Sequence, residues 1–352
     1  MGDGAYERMA EALDRLPNGF PRTSSGVELR ILERICSPDE ADLAGLLSGS
    51  PEPVDAIAAR AGRPAGEVRR ALFTLARRGI AWIVQQESEV RFRLAPFIVG
   101  MYEAQVDRMD HELAHLVEDY LAGGGAQAIT GSQPTIHRVV PAHATVKTEE
   151  ILPYDDVRAL LDGQRTFHVT ECICRLQQAQ LDEPCSYPGR VCLSFSDRER
   201  DPRPGDLTRA EALALLDMTE EAGLVHTVSN IAEGVGYVCN CCGCCCGILR
   251  GITEWGIAGS VAAANYVAVI DPDLCADCGT CIERCQVGAI AEGFGSALVD
   301  RSRCIGCGLC VSGCPNEVAR LVRKPEAEIV HPPATYAEWE RQRLAARLMA
   351  GA

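Results

Sequence analysis

The amino-acid sequence predicts a multidomain α+β protein with a helix-rich beginning, a cysteine-rich α/β middle and a small duplicated α+β unit near its end. A length of 352 residues corresponds to two or three domains of ordinary size. Apolar residues recur at helical spacing early in the chain, and short apolar runs between turn residues, typical of strands, follow. Of the 19 cysteines, ten lie between Cys172 and Cys246 and eight lie between Cys275 and Cys314. This clustering sets the middle and the last part of the chain apart from its beginning.

Composition and charge exclude several classes of protein. Apolar residues make up 47% and charged residues 24%, as in ordinary globular proteins. A net charge of −15 argues against a general binder of nucleic acid or anionic membranes. The first residues lack the apolar centre of a signal peptide, and the most apolar stretch, 256–270, is too short to span a bilayer. We therefore expect a cytoplasmic protein without membrane insertion, whose grouped cysteines are metal ligands rather than disulfides.

The beginning of the chain predicts helices followed by a β-hairpin. Gly62 and Gly79 stand where helices would end, and Pro64 suits the first turn of the helix between them. The predicted elements after a short helix and linker at 1–26 are helices at 40–47 and 97–121, a helix–turn–helix across Gly62, and strands at 80–84 and 90–94. Later in the chain, a helix is predicted at 155–161, and another after Thr208, whose spacing to Glu211 is that of a capping box. Helix–turn–helix followed by a hairpin resembles a winged-helix domain.

Binding of DNA is the first function to weigh for such a domain. Five arginines near the predicted recognition helix are candidates for phosphate contacts: Arg63, Arg69, Arg70, Arg77 and Arg78. Residues 27–100 nevertheless carry ten basic and ten acidic side chains, which leaves no net charge. Because winged helices also serve as scaffolds, we expect a protein-docking or structural role here and no DNA binding.

The predicted helix at 97–121 contains the spacing of a zinc-protease motif. His111, Glu112 and His115 form H-E-x-x-H, in which two histidines one turn apart can share an ion. At about 100° per residue these side chains fall opposite the apolar face that carries Met109, Leu113, Leu116 and Tyr120. We expect an exposed polar face rather than a zinc site.

A duplicated cysteine motif is the most informative feature of the sequence. The segments CADCGTCIERCQ, from Cys275, and CIGCGLCVSGCP, from Cys304, each read C-x2-C-x2-C-x3-C and are offset by 29 residues. Short apolar runs at 269–270 and 298–299 precede them as predicted strands. Zinc sites use paired cysteine arms rather than four cysteines in one run. The repeat closely resembles the bacterial-type ferredoxin domain with two [4Fe–4S] clusters.

That resemblance implies a particular division of the ligands, because the fourth cysteine of each run binds the other cluster in this family. The ligands implied for the first cluster are Cys275, Cys278, Cys281 and Cys314, and those implied for the second are Cys304, Cys307, Cys310 and Cys285. Pro315 follows the last cysteine as the family pattern expects, whereas Gln286 stands where the first copy would have proline.

The ten middle cysteines predict a further centre. Neighbouring cysteines rarely meet disulfide geometry, so a thiol group this dense favours a metal or cluster site, and we expect at least one more iron–sulfur cluster. Its ligands are open among Cys172, Cys174, Cys185, Cys192, Cys239, Cys241, Cys242, Cys244, Cys245 and Cys246. The tripeptide at Cys241 resembles the CCG motif of heterodisulfide-reductase-type proteins, which bind unusual clusters.

Three other side chains lie near these cysteines in sequence. Arg175, His226 and Arg250 either offset thiolate charge and hydrogen-bond a cluster or are ordinary surface residues. Cys36, by contrast, lies near the end of an amphipathic helix and is expected in the core.

The sequence thus predicts an iron–sulfur electron-transfer protein that relays single electrons through two [4Fe–4S] clusters to or from a further cysteine-bound cluster and a redox partner. Alternatives are a reductase with a catalytic middle cluster, and a redox-sensing winged-helix regulator. The predicted parts are an N-terminal helix and linker (1–26), the winged-helix-like domain with its long helix (27–125), the cysteine-rich middle (126–264), the dicluster ferredoxin domain (265–324) and a tail helix (325–352). The partner, the substrate and the oligomeric state stay open.

Overall fold

The computed structural model describes residues 4–86, 89–145 and 151–350. Contacts within the chain group it into two compact units. Unit 1 comprises Met1–Ser132, Leu176–Pro184 and Arg343–Ala352, and unit 2 comprises Gln133–Arg175 and Cys185–Gln342. Every cysteine except Cys36 therefore belongs to unit 2. The finer division into five parts stays a prediction.

Unit 1 is mainly helical. Its elements are α1 (Ala5–Asp14), α2 (Val27–Ile35), α3 (Pro38–Gly45), β1 (Glu52–Pro53), α4 (Val54–Ala61), α5 (Ala65–Arg77), β2 (Ala81–Gln86), β3 (Glu89–Leu94), α6 (His111–Tyr120) and α7 (Ala126–Thr130). The predicted hairpin is confirmed as β2 and β3, and β1 extends it into an antiparallel sheet in the order β1-β3-β2. Part of its predicted turn, residues 87 and 88, lies outside the described residues. The winged-helix assignment itself stays a prediction.

The predicted single helix over 97–121 is wrong, because this stretch is divided into a 3-10 helix at Glu103–Arg108 and an α-helix that begins at His111. Asp110 is extended, and its carboxylate accepts a hydrogen bond from the Leu113 backbone N–H at 3.0 Å, which is the geometry of a helix N-cap. Upstream, Ile98, Val99 and Gly100 have non-helical backbone angles. The periodic apolar residues instead pack in two stretches, with the rings of Phe97 and Tyr120 in contact at 5.8 Å between centroids.

Unit 2 is built on an antiparallel six-stranded sheet in the order β4-β8-β9-β6-β5-β7. The elements that begin in this unit are β4 (His137–Val140), β5 (Thr166–Glu171), α8 (Ile173–Gln180), β6 (Arg190–Ser196), β7 (Asp206–Leu207), α9 (Arg209–Glu221), β8 (Val225–Ser229), β9 (Tyr237–Cys241), α10 (Arg250–Thr253), β10 (Tyr266–Ile270), α11 (Thr280–Glu283), β11 (Ile290–Glu292), β12 (Ala297–Val299), α12 (Leu309–Ser312), β13 (Ala319–Arg323) and α13 (Tyr336–Ala350). Helices α8 and α13 continue into unit 1.

Helix α9 begins as its sequence predicts. The Thr208 hydroxyl accepts from the Glu211 backbone N–H, and the Glu211 carboxylate accepts from the Thr208 backbone N–H at 2.7 Å, which completes a capping box. The helix predicted over 155–161 is wrong, because only two short 3-10 turns form there, at Pro153–Asp155 and Ala159–Leu161.

The duplicated motif folds as two short antiparallel sheets of two strands each, together with two cysteine loops. Strand β10 pairs with β13, and β11 pairs with β12. The strands predicted before each loop are confirmed, since 269–270 lie in β10 and 298–299 lie in β12. Each loop ends at a glycine in the left-handed region, Gly279 at φ +77° and Gly308 at φ +80°, from which α11 and α12 begin.

Among the described residues, no helix combines the length and the apolar character that crossing a membrane requires.

Candidate metal centres

Four cysteines of the duplicated motif line one cavity. Cys275, Cys278, Cys281 and Cys314 are the four ligands that the ferredoxin resemblance implies for one cluster, although Cys314 comes from the other copy of the repeat. Cys278 is exposed, whereas the other three are partly buried. Four thiols around one space suit a thiolate-bound cluster.

The other four cysteines of the motif are close enough for their charges to act on Cys307 and Cys310. Burial, together with negative charge at Cys285 and Cys304, raises the pKa of Cys307 to about 12. Burial likewise raises the pKa of Cys310, together with charge at Cys307, Cys304 and Cys285. A bound metal would favour the thiolate forms of Cys307 and Cys310, and the four cysteines coincide with the second set that the resemblance implies.

The ten middle cysteines separate into two groups of neighbouring thiols. In the first group the pKa of each thiol is shifted most by two other thiols, and these pairs join the six side chains in a ring. In order around the ring they are Cys172, Cys174, Cys246, Cys241, Cys239 and Cys192. We call this group the thiol ring.

The second group, which we call the thiol tetrad, consists of Cys185, Cys242, Cys244 and Cys245. Its four sulfur atoms all lie within 4.8 Å of one another, and the Cys244 and Cys245 sulfurs are 3.7 Å apart. Cys242 and Cys245 are buried, whereas Cys244 is exposed. The tetrad therefore reaches from the interior of unit 2 to its surface.

Strand β9 positions part of the thiol ring. Cys239 and Cys241 alternate along the strand with Asn240 and so share the opposite face from it. The Asn240 amide oxygen accepts from the Thr219 hydroxyl at 3.0 Å, and its amide nitrogen donates to the Val191 carbonyl at 2.6 Å. Because Asn240 is fixed in this way, the backbone that carries the two thiols is fixed as well.

The local environment favours ionisation of particular thiols. Hydrogen bonds from Cys239 and Cys246 lower the pKa of Cys241 to about 6. A hydrogen bond from Cys245 outweighs burial and, with the charge of Arg175, lowers the pKa of Cys242 to about 5. The pKa of Cys172 is lowered as well, so thiols of both groups are predisposed to the thiolate form that binds metals.

Arg175 is the buried cation that serves both groups. Its side chain is 6% exposed, donates from Nη2 to the Asn240 carbonyl at 3.0 Å and lies over the Tyr187 ring. Its Nε and Nη1 have no hydrogen-bond partner among the described residues. Burial lowers the pKa of Arg175, but the charges of Cys172 and Cys242 outweigh burial and raise it overall. Arg175 therefore offsets thiolate charge, one of the two roles that the sequence left open.

His226 and Arg250 are buried rather than surface residues, but neither faces the thiols as Arg175 does. His226 Nδ1 hydrogen-bonds to the Asn240 amide oxygen at 2.7 Å, and burial lowers its pKa to about 4, so the ring is neutral. Arg250 pairs with Glu254 at 2.6 Å and stacks on Trp255. The first residue positions Asn240, whereas the charge of the second is already paired.

Gln286 is a site residue whose role was missed from the sequence. Its side chain accepts from the Gly243 backbone N–H at 2.8 Å and donates to the Tyr187 hydroxyl at 2.6 Å and to the Gly223 carbonyl at 2.9 Å. It therefore joins the ferredoxin-like loop to the loop of the thiol tetrad. The sequence does show that Gln286 stands where the family pattern has proline. Proline could not make these contacts, because its side chain has no donor or acceptor.

The H-E-x-x-H segment belongs to unit 1. His111, Glu112 and His115 are exposed on α6, as expected, and the Glu112 carboxylate pairs with Arg34 at 2.9 Å. The two histidine rings contact one another through their Nε2 atoms at 3.3 Å. The expectation of an exposed polar face is confirmed.

A family model described as a 4Fe-4S dicluster domain matches residues 267–315. The chain thus contains such a domain, which supports [4Fe–4S] clusters at the duplicated motif and indicates iron–sulfur electron transfer. Searches of curated proteins and of solved structures found no match to the chain.

Proposed function

We propose that this chain relays single electrons between a redox partner and a third iron–sulfur centre at the thiol ring, through two [4Fe–4S] clusters in the dicluster domain. The observation that carries the proposal is the continuity of one apolar core in unit 2. That core contains or contacts Cys239, Cys241 and Cys246 of the ring as well as five cysteines of the dicluster motif, Cys281, Cys285, Cys304, Cys307 and Cys310. Bound clusters would supply one-electron chemistry at both ends of this core.

The residues of the dicluster domain suit different roles in such a relay. The set Cys275, Cys278, Cys281 and Cys314 would hold the cluster that exchanges electrons with the partner, because Cys278 reaches solvent. The set Cys285, Cys304, Cys307 and Cys310 would hold the inner cluster, because Cys310 is buried in the shared core. Solvent exposure and hydrogen bonds to sulfur are among the factors that set cluster potentials.

The thiol ring offers more ligands than a cubane cluster uses. Four cysteines bind a [4Fe–4S] cluster, whereas the ring has six. Two surplus thiols beside a cluster favour a second candidate function, an iron–sulfur reductase in which the ring centre acts on a substrate. A substrate-dependent signal from that centre would distinguish the reductase from a pure relay.

Anaerobic purification with iron, sulfide and electron paramagnetic resonance measurements tests the proposal. Two filled cubanes account for about eight irons, so we expect about twelve in the full chain. A full-length variant with all eight dicluster cysteines changed to serine should keep about four irons and a reducible centre. Cys36→Ser serves as the control, since this thiol belongs to neither group. Loss of all iron and sulfide from a folded eight-serine variant would refute the third cluster.

A further inference from the structure

We propose that the thiol tetrad binds a single tetrahedral metal ion, separate from the cluster at the thiol ring. The distances between sulfur atoms carry this proposal. A metal–sulfur distance of about 2.3 Å places the four ligands of a tetrahedral ion about 3.8 Å apart. The tetrad sulfurs lie within 4.8 Å of one another, and one pair is 3.7 Å apart. A cubane puts a separate iron behind each thiolate and so needs its ligand sulfurs farther apart.

The sequence CNCCGCCC explains how one segment serves two centres. Of the adjacent pair Cys241 and Cys242, the first belongs to the ring and the second to the tetrad. Of the adjacent pair Cys245 and Cys246, the first belongs to the tetrad and the second to the ring. The two side chains of each adjacent pair thus belong to different groups, so one short segment contributes thiols to both the ring and the tetrad.

The tetrad loop is fixed by contacts that do not require the metal. The Cys246 backbone N–H donates to the Cys242 carbonyl at 3.2 Å, and the Thr253 hydroxyl donates to the Gly243 carbonyl at 3.0 Å. A β-carbon at Gly243 would lie 1.9 Å from the Gln286 carbonyl oxygen, so only glycine fits this approach. A binding loop held in this way pays little ordering entropy when the ion binds.

Charge also suits a four-thiolate ion. Four thiolates around a divalent ion leave a net charge of −2, which is costly to bury without a cation. Arg175 lies over the Tyr187 ring, which packs in the same buried cluster as Cys185, Cys242 and Cys245. Its Nε and Nη1 are buried and have no hydrogen-bond partner among the described residues. Exposure of Cys244 gives the other side of the site access to water. Zinc and iron are the ions that a tetrahedral four-sulfur site takes.

The test compares full-length variants by metal and acid-labile sulfide content after anaerobic purification. Cys185→Ser with Cys244→Ser should remove one ion per chain, zinc or iron, and leave sulfide unchanged, because a single ion carries no bridging sulfide. Cys192→Ser, in the ring, should lower iron and sulfide together, and Cys36→Ser should change neither. Loss of iron with sulfide from the tetrad variant, or no loss of any metal, would overturn the proposal.

A measurement on the unaltered protein covers the case in which the double variant does not fold. If the ion is zinc, X-ray absorption at the zinc edge should show four sulfurs at about 2.3 Å. If the ion is iron, the oxidised protein should give the high-spin ferric signal of an isolated iron with four thiolates. Folded protein that lacks both signatures contradicts the proposal. Because neither signature depends on the ring, the tetrad can fail while the electron relay stands.

Discussion

Arg175 is the residue whose charge matters most to the middle centres. Its guanidinium is buried, and its nearest negative partners are thiols of both the ring and the tetrad. A cation beside a cluster stabilises the reduced form, which carries one more negative charge. The potential of the ring centre should therefore depend on this side chain, as second-shell groups generally tune metal sites.

Arg175→Met should make the potential of the ring centre more negative. A tenfold change in a one-electron equilibrium corresponds to about 59 mV, and we expect a shift of that order. Redox titration followed by electron paramagnetic resonance measures it. Arg175→Lys keeps the charge and should shift the potential less, and Arg250→Met removes a charge already paired with Glu254. An unchanged potential in Arg175→Met would show that the arginine only supports the fold.

Cys285 tests the crossover of ligands in the dicluster domain. Its charge raises the pKa of Cys307 and Cys310, which places it with the second copy of the motif although it belongs to the first. Cys285→Ala should damage the cluster of Cys304, Cys307 and Cys310 and reduce its signal far more than that of its neighbour. Spectra of the two reduced clusters, with Cys36→Ser as control, measure this. Selective loss of the other cluster would reverse the assignment.

At the residue scale, the spacing of cysteines predicted a cluster-binding domain where the ligands lie in short runs of sequence. The four-cysteine runs gave the dicluster domain directly, because each C-x2-C-x2-C-x3-C loop sets the geometry of its own thiols. The middle cysteines come from segments as far apart as Cys172 and Cys246, so their grouping depends on how β5, β6 and β9 pair. Spacing alone has no information about that pairing.

Gly243 allows the tetrad loop to approach the Gln286 backbone closely. Gly243 lies between tetrad ligands Cys242 and Cys244, and its N–H donates to the Gln286 side chain. Any larger residue would collide with the Gln286 backbone and displace ligands on both sides of the loop. A substitution of Gly243 therefore tests the position of the loop without removing a thiol.

Gly243→Ala should lower the free energy of unfolding by about 2 kcal/mol, within the range of strained substitutions, and release the tetrad ion. Chemical denaturation and metal content measure the two effects. Gly123→Ala is the control, because a β-carbon there meets nothing within 4 Å, and it should cost less than about 0.5 kcal/mol. Full stability and metal occupancy in Gly243→Ala would mean that the Gln286 backbone moves aside easily.

Helices and strands were predicted correctly where residues close together in sequence determine them. The capping box at Thr208 and the hairpin of β2 and β3 are set by neighbouring residues, and both formed as predicted. The helix over 97–121 failed because its apolar periodicity was real but Asp110 caps a new helix in its middle. Arg343, in the tail helix, is fully buried and donates to the Pro17 carbonyl at 2.9 Å. That contact spans the whole chain, so no local pattern announced it.

At the scale of the whole molecule, the cysteines are divided unevenly between the two units. Unit 2 holds all grouped cysteines, and the thiol left in unit 1, Cys36, is buried with its pKa raised to about 12 by desolvation. Cys36 has no second cysteine in its unit with which to share a metal. Among its described residues, unit 1 therefore offers no group of cysteines that could hold a redox centre.

Regulation through DNA is the remaining alternative for unit 1, and the arginines of the predicted recognition helix argue against it. Arg63 pairs with Glu67 at 2.7 Å, and Arg78 pairs with Glu40. Arg69 stacks over the Phe73 ring. Side chains with protein partners would have to give them up to reach phosphates, and the chain as a whole carries a charge of −15 that repels the duplex.

We therefore expect no specific duplex binding at about 150 mM salt, a concentration at which phosphate contacts are already weakened. Fluorescence anisotropy with a pool of labelled duplexes, run on oxidised and on reduced protein, measures it. Weak binding that disappears as salt rises would reflect nonspecific phosphate contacts and leave the expectation intact. A nanomolar footprint that is lost in Arg69→Ala with Arg70→Ala would overturn it. The clusters of unit 2 would then sense redox state for a DNA-binding unit 1 instead of relaying electrons to a partner.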